Sequence, residues 1–247
     1  LAVQQSHTLK VSAALDLIRM RWGARIRVTD PSRATTLLLD VEQIEDRWIG
    51  HVTGWPGIYV DAGSRDALLA AAPATVAARF AWLREGGESP PSGPFEFTVN
   101  EVHAAWSTAD GYEVNAFFAA DRQPLSPDEC ATAIHRLGCY RDALLAACGP
   151  AQDASSAIRE RVFHVADAEN WYLESLDAGD ARLLDDADPF GSLERVRDLL
   201  VRTLPALAGD DRIAVRRGEV WSARKVVRRA LWHERHHAEH IQRLRGA

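Results

Sequence analysis

Four segments of helical length fill the second half of this chain and constrain its fold more than any other feature. They lie at about residues 126–148, 154–178, 191–208 and 221–245, with Gly, Pro and Asp in the connections. The first opens with Ser126-Pro127-Asp128-Glu129, which predicts a helix N-terminus because serine caps the first turn and proline is favoured there. Helices of this length with short connections pack together, so the sequence predicts an antiparallel four-helix bundle.

The first half has a different pattern. Between residues 35 and 63, short apolar runs alternate with turn residues, which predicts short strands. Ser64 is a predicted N-cap of the next helix, and Pro73 is predicted to break or kink that helix. Near Phe95 and near Tyr112 the residues alternate between apolar and polar, which predicts two strands joined by a hairpin connection.

These patterns predict an α+β protein with two domains, a small α/β region over residues 1–122 and the helical domain over residues 123–247. The chain has 247 residues, 47% apolar residues and a net charge of −6, so it can build a core and lacks the basic face of a nucleic-acid binder. The basic run between Arg224 and Arg229 is interpreted as a solvated or salt-bridged helix face. No stretch approaches the roughly 18 uncharged apolar residues of a membrane span, so no membrane partner is expected.

A cytoplasmic location is expected from the cysteines and from the start of the sequence. The three cysteines are spaced nine residues apart and predict three buried thiols rather than a disulfide pair: Cys130, Cys139 and Cys148. The start of the sequence shows no secretory signal pattern. Residues 1–19 precede the only methionine, Met20, and carry no weight in these predictions. The oligomeric state stays open, with a homodimer as one alternative.

The last helical segment contains four of the nine histidines within eight residues, including the H-E-x-x-H pattern that starts at His233. On a helical wheel His237 lies about 40° from His233 and falls in the same apolar stripe as Val226, Ala230 and Ile241. His236 lies about 60° to the other side, so we expect it to be more exposed than His237 and not to bind metal. A pair one turn apart can place two ring nitrogens on one metal ion, and two hydrogen-bonded core histidines are the alternative.

A zinc-protease function is excluded by the residues downstream of this pattern. A metzincin would place glycine at position 240 and histidine at position 243, where this chain has His240 and Arg243. No acidic residue occurs after Glu239, so no downstream glutamate can be the third ligand.

The third ligand is therefore expected on another helix. His164 is the candidate, because alanines flank it on its own face and leave room for a metal or a substrate. Asp167 and Glu160 lie within one turn of His164 and are candidates for orienting its ring.

The segments FHVADAENWYL and LWHERHHAEHI resemble the DinB-like superfamily of four-helix metal-binding proteins over about residues 126–247. The resemblance implies that His164, His233 and His237 bind a divalent ion such as zinc or nickel, with waters in the open positions of an octahedral-type site. It also implies thiol-dependent transferase or isomerase chemistry with a low-molecular-weight thiol such as mycothiol or bacillithiol. Many members read His-Arg-Gly-Gln after the second histidine of the pair, but here His237 is followed by Ala-Glu-His, which leaves His240 as an extra group near the site.

The segment RWIGHVTGWPGIYVDAGSRDALLAAA is similar to the HicB-like strand and helix arrangement, over about residues 35–105. The resemblance implies a fold and not an antitoxin role, because the helical domain stands where a DNA-binding tail would be.

Two functions remain. The first is a divalent-metal-dependent enzyme that acts on a small molecule or thiol. The alternative is a metal-stabilised, non-enzymatic binding or regulatory protein, related to stress, whose HicB-like module contacts a partner. A fourth protein ligand such as His240 or Glu239 would indicate a structural site, and open positions would indicate a catalytic one.

Overall fold

A computed structural model describes residues 34–246 of the chain, and the prediction about residues 1–19 lies outside them. The described part is a mixed α+β structure, as the sequence predicts. A four-stranded sheet in the order β3-β2-β1-β4 comes first, and its strands are β1 (Thr35–Ile44), β2 (Arg47–Val52), β3 (Tyr59–Ala62) and β4 (Phe95–Ala104). Strands β1, β2 and β3 pair in antiparallel order, and β4 joins β1 in parallel.

The parallel pairing requires a crossover, and helix α1 (Arg65–Glu85) provides it. Its buried stripe includes Leu68 and Val76, which pack in one apolar cluster with Leu39 of the sheet. The Ser64 side chain caps the helix by accepting a hydrogen bond from the backbone N–H of the third residue after it, as predicted. The helix does not break at Pro73, because residues buried on both sides of the proline hold it on the sheet, and the alternative of a kink there stays a prediction.

By length and composition, α1 is long and apolar enough to cross a membrane, alone among the helices of residues 34–246. One face is buried against the sheet, since Leu68, Val76 and Phe80 have no exposed surface, and the exposed face includes Ala70 and Ala77. A buried stripe of this kind is the packing of a helix that covers one face of a sheet.

The segment that starts at Tyr112 is not the long strand that its alternation predicts. Only β6 (Glu113–Val114) is a strand, and it pairs with β5 (Trp106–Ser107) across the expected hairpin connection. The next two backbone N–H groups donate to carboxylates, that of Asn115 to Glu219 and that of Ala116 to Glu42. The segment therefore continues as an irregular stretch held by side chains.

Four helices make up the rest, close to their predicted positions: α2 (Pro127–Cys148), α3 (Ser156–Glu174), α4 (Pro189–Thr203) and α5 (Ala223–Gly246). Ser126 and Glu129 form a reciprocal capping box at the start of α2, as predicted. A short hairpin that the sequence does not predict, β7 (Ala214–Arg216) with β8 (Glu219–Trp221), leads into α5.

The helices share a core that is separate from the apolar cluster of the sheet. Helix α5 packs against α2 and α3, and α3 also packs against α4. Leu137 of α2, Leu173 of α3 and Leu231 of α5 meet in this core with no exposed surface. Among the cysteines, Cys130 and Cys148 are buried as predicted, but Cys139 is only partly buried because it lies at the edge of α2 near Gly86.

Candidate metal centre

Helix α5 presents two of its histidines on its buried face. His233 and His237 are 7% and 5% exposed, whereas His236 and His240 are half-buried. Val226, Ala230 and Ile241, which share the predicted stripe, are buried as well. The buried face predicted for α5 is therefore confirmed, including the greater exposure of His236.

Helix α3 brings His164 to this pair because it runs antiparallel to α5. At one end the ring of Tyr172 lies 5.2 Å from that of Trp221, and at the other the ring of His164 lies 5.0 Å from that of His237. The Nε2 atom of His233 is 3.1 Å from Nε2 of His164 and 2.9 Å from Nε2 of His237. Ligand atoms of the three histidines all lie within 4.8 Å of one another.

These separations fit a shared metal ion. Bonds of about 2.0–2.1 Å at right angles would place two ring nitrogens about 2.9 Å apart, and a tetrahedral angle would place them about 3.3 Å apart. The two Nε2 separations at His233, 3.1 and 2.9 Å, are closer to the right-angle value. The donor set can therefore occupy three positions of an octahedron and leave the other three open.

The protonation state of the rings suits metal binding. Burial, together with the other histidines and Arg229, lowers the pKa of His233 well below its usual value. Burial and nearby positive groups lower the pKa of His237 to about 2, and burial with Arg161 lowers the pKa of His164. At neutral pH all three rings are neutral, so each can offer a lone pair to a cation without losing a proton.

Other polar groups near the three histidines do not complete the ligand set. The ring of His236 stacks on Trp232, and the ring of His240 lies 6.4 Å from that of His237, so within residues 34–246 the ligand group consists of three residues. Asp167 and Glu160 are exposed, and no hydrogen bond between either carboxylate and His164 is found in the described part of the chain. Asp167 acts on that ring through its charge, which raises the pKa of His164 against the larger effect of burial.

The glutamate of the H-E-x-x-H pattern, Glu234, is held by buried arginines. Glu234 has no exposed surface and accepts hydrogen bonds from the guanidinium groups of Arg141 and Arg197. A carboxylate held in this way cannot reach a water or substrate at the histidines. The geometry therefore supports the exclusion of a zinc-protease function.

The three histidines line a cavity of about 540 Å³. Much of its wall is aromatic: Tyr112, Trp171, Tyr172 and Trp232. Tyr112 belongs to the segment before the helices, and its hydroxyl donates to Glu219 and accepts from the indole N–H of Trp171, 3.1 Å away. Residues from the front region and from the helices therefore form the cavity together.

The basic run that enters α5 is buried, so its interpretation as a solvated face is wrong and its salt-bridged alternative is correct. Lys225 pairs with Glu219 at 2.7 Å, Arg228 with Asp121 at 2.8 Å and Arg229 with Glu42 at 3.4 Å. Asp121 and Glu42 come from distant segments, which is why local sequence could not identify them, whereas Glu219 lies six residues before Lys225. Arg229 also lines the cavity, one turn before His233.

Comparison with known proteins adds no family name to this geometry. No protein-family model, no curated protein and no solved structure matches this chain. The arrangement of the site itself has to support any conclusion about function.

Proposed function

We propose that this chain is a divalent-metal-dependent enzyme of the DinB-like type, with zinc or nickel held by His164, His233 and His237. In this proposal helices α2 to α5 are the four-helix bundle of that superfamily, and the sheet with α1 is the HicB-like region. The reaction is a thiol-dependent transfer or isomerisation on a small molecule. The observation that supports it best is the convergence of three histidine Nε2 atoms on the wall of a cavity.

The lack of a fourth ligand among residues 34–246 favours the enzyme over a metal-stabilised regulatory protein. Structural zinc sites are closed by four protein ligands, and catalytic ones keep a position open. Glu239, one of the two candidates for closing the site, instead pairs with Arg79 at 2.5 Å and with Arg235 at 3.0 Å. These contacts tie α5 to α1 and to its own neighbouring turn.

The three histidine ligands determine what chemistry a bound ion could perform. A divalent ion on three neutral imidazoles keeps its full charge, and when bound it can polarise a carbonyl or stabilise a thiolate. The histidines would hold the ion on one side, and Trp171, Tyr172 and Trp232 give the cavity apolar surface for a substrate beside it. Tyr112 stays neutral, because burial and the carboxylate of Glu219 raise the pKa of its hydroxyl.

The front region supports the enzyme as well. It contributes Tyr112, Glu113 and Arg47 to the cavity that the histidines face. A module that only contacted a partner protein would not need to build this wall.

Metal analysis of the purified protein and then thiol-consumption assays test the proposal. We expect about one divalent ion per chain and consumption of mycothiol or bacillithiol that stops on chelation and returns when zinc or nickel is restored. A protein that binds the ion but never consumes a thiol with any electrophile offered would support the regulatory alternative. A protein that binds no ion would end both hypotheses.

A further inference from the structure

We infer that the cavity binds a ligand with an anionic group of the carboxylate type, and that Arg161 is the residue that binds this group. The inference rests on the proposed function for one point, that the other end of the ligand is a thiol at the three histidines. It assigns to the substrate a chemical class, a thiol that carries a carboxylate a few atoms away.

The first observation is that Arg161 has no partner among the described residues. It lines the cavity, is half-buried, and makes no ion pair or hydrogen bond with any residue between 34 and 246. The other arginines of the cavity all have acidic partners: Arg47 with Asp61, Arg217 with Asp110 and Arg229 with Glu42. A partly desolvated guanidinium without a counter-charge is costly, and an anionic ligand would offset that cost.

The second observation is the charge of the whole cavity. Four arginines and four carboxylates line it: Arg47, Arg161, Arg217, Arg229, Glu113, Asp167, Glu174 and Glu219. Three of these arginines already pair with carboxylates outside this set, and Glu219 pairs with Lys225. Arg161 is therefore the arginine of the cavity whose charge a ligand can offset, and a thiolate at a divalent ion together with a carboxylate at Arg161 would match both positive groups.

The third observation is the position of Arg161 relative to the histidines. It precedes His164 on α3 by three residues, a rise of about 4.5 Å along the helix. Arg161 and His164 line the same cavity from the same helix. A short ligand can therefore reach from the metal position to this guanidinium.

Glu113 and Asp167 also line the cavity without an ion-pair partner among the described residues, so a cationic ligand is the competing outcome. Three thiols of equal length distinguish the two charges: 3-mercaptopropionate, 3-mercaptopropan-1-ol and 3-aminopropane-1-thiol. Cobalt(II) substituted for the native ion reports the binding of each thiol through its thiolate charge-transfer absorption, with no need for turnover. Cobalt content is measured separately in every sample.

In the wild type we expect 3-mercaptopropionate to bind about ten- to a hundredfold more tightly than the alcohol, which is the worth of one charge-assisted hydrogen bond. Arg161→Gln should keep its cobalt and lose this preference, and Arg161→Lys should recover part of it. Arg159→Gln is the matched control, because Arg159 is also half-buried on α3 but does not line the cavity, and it should retain the preference.

Several results would overturn the inference. They are equal affinity for the acid and the alcohol, tightest binding of the amine, or a preference for the acid that survives in Arg161→Gln and so reflects chelation by cobalt alone. Any of these results would contradict the inference alone, and not the metal site or the proposed function, if cobalt content and thiol absorption are normal. Absence of cobalt or of the thiolate band would instead show that the proposed function fails, and this inference with it.

Discussion

Two adjacent histidines with opposite roles give the most direct test at the level of residues. His237 is buried with its Nε2 at 2.9 Å from that of His233, whereas His236 stacks on Trp232. His237→Ala should therefore lose the bound metal, and His236→Ala should keep it. Elemental analysis of the two purified variants, with circular dichroism to confirm that both are folded, decides the matter. Equal loss from both would show that His236 also holds the ion.

Tyr140 offers a second residue-level test, which concerns stability at high pH. Its hydroxyl is buried and donates to the carbonyl of Gly57 at 2.8 Å, and burial raises its pKa to about 12 from a usual 10. Because the folded state favours the neutral phenol, the raised pKa contributes to the free energy of unfolding. This contribution is complete below pH 10 and is lost as the pH rises through 12. The wild type should therefore lose about 2 kcal/mol more unfolding free energy than Tyr140→Phe over that interval.

Urea denaturation of both proteins at pH 8, 10 and 11.5 measures this difference. At pH 8 the variant should be less stable by about 1 kcal/mol, since the buried carbonyl of Gly57 loses its donor. A variant whose stability falls with pH as steeply as that of the wild type would assign the alkaline transition to other groups.

Each of the four helices supplies one residue to a buried charge network, which gives a test at the level of elements. Arg141 of α2 and Arg197 of α4 are the cations, and Glu169 of α3 and Glu234 of α5 are the anions. Removing one charge leaves its partners buried without a counter-charge, so Glu234→Gln should destabilise the protein by about 3 kcal/mol. Glu160→Gln, at an exposed site on α3, should change stability by less than about 0.5 kcal/mol.

Thermal and urea denaturation of these two variants measure the difference in stability. Metal content, measured in both, separates an effect on stability from an effect on catalysis. If the glutamate of the H-E-x-x-H pattern were a catalytic base, Glu234→Gln would lose activity at full stability. We expect instead that Glu234→Gln is less stable than the wild type, and that this loss of stability is seen before any bound metal is lost.

Helices and their capping residues could be predicted from local sequence, because a capping box or an apolar stripe is complete within one segment. The buried face of α5 was found in the same way, and it identified His233 and His237. His164 needed the resemblance as well, since nothing within α3 shows which helix it faces. The residues that sequence missed act across distance: Glu42 reaches Arg229 from 187 residues away, and Glu219 reaches Tyr112 from 107.

At the scale of the whole molecule, the front region and the helices are joined through charged groups that are largely buried. Glu42 of β1 accepts from Arg229, from His51 and from the backbone of Ala116, while Arg79 of α1 pairs with Glu239. Both connections end on α5, within one or two turns of His233 and His237. The helix that carries the site is therefore fixed from both sides before any ion binds.

This arrangement predicts that removing the metal costs activity more than it costs the fold. The helical core and the sheet cluster consist of apolar side chains, and none of the three histidines belongs to either, so neither needs the ion for its packing. The ion stabilises only through its preference for the folded state, about 3 kcal/mol at a hundred times its dissociation constant. His164→Ala and chelated wild type should both keep their helical circular dichroism at 25 °C, melt a few degrees lower and lose metal-dependent thiol chemistry. Restoring zinc or nickel should reverse the effect in the wild type alone. If chelation instead abolishes the helical signal at 25 °C, the ion holds the helices together, and the regulatory function becomes the better explanation of the site.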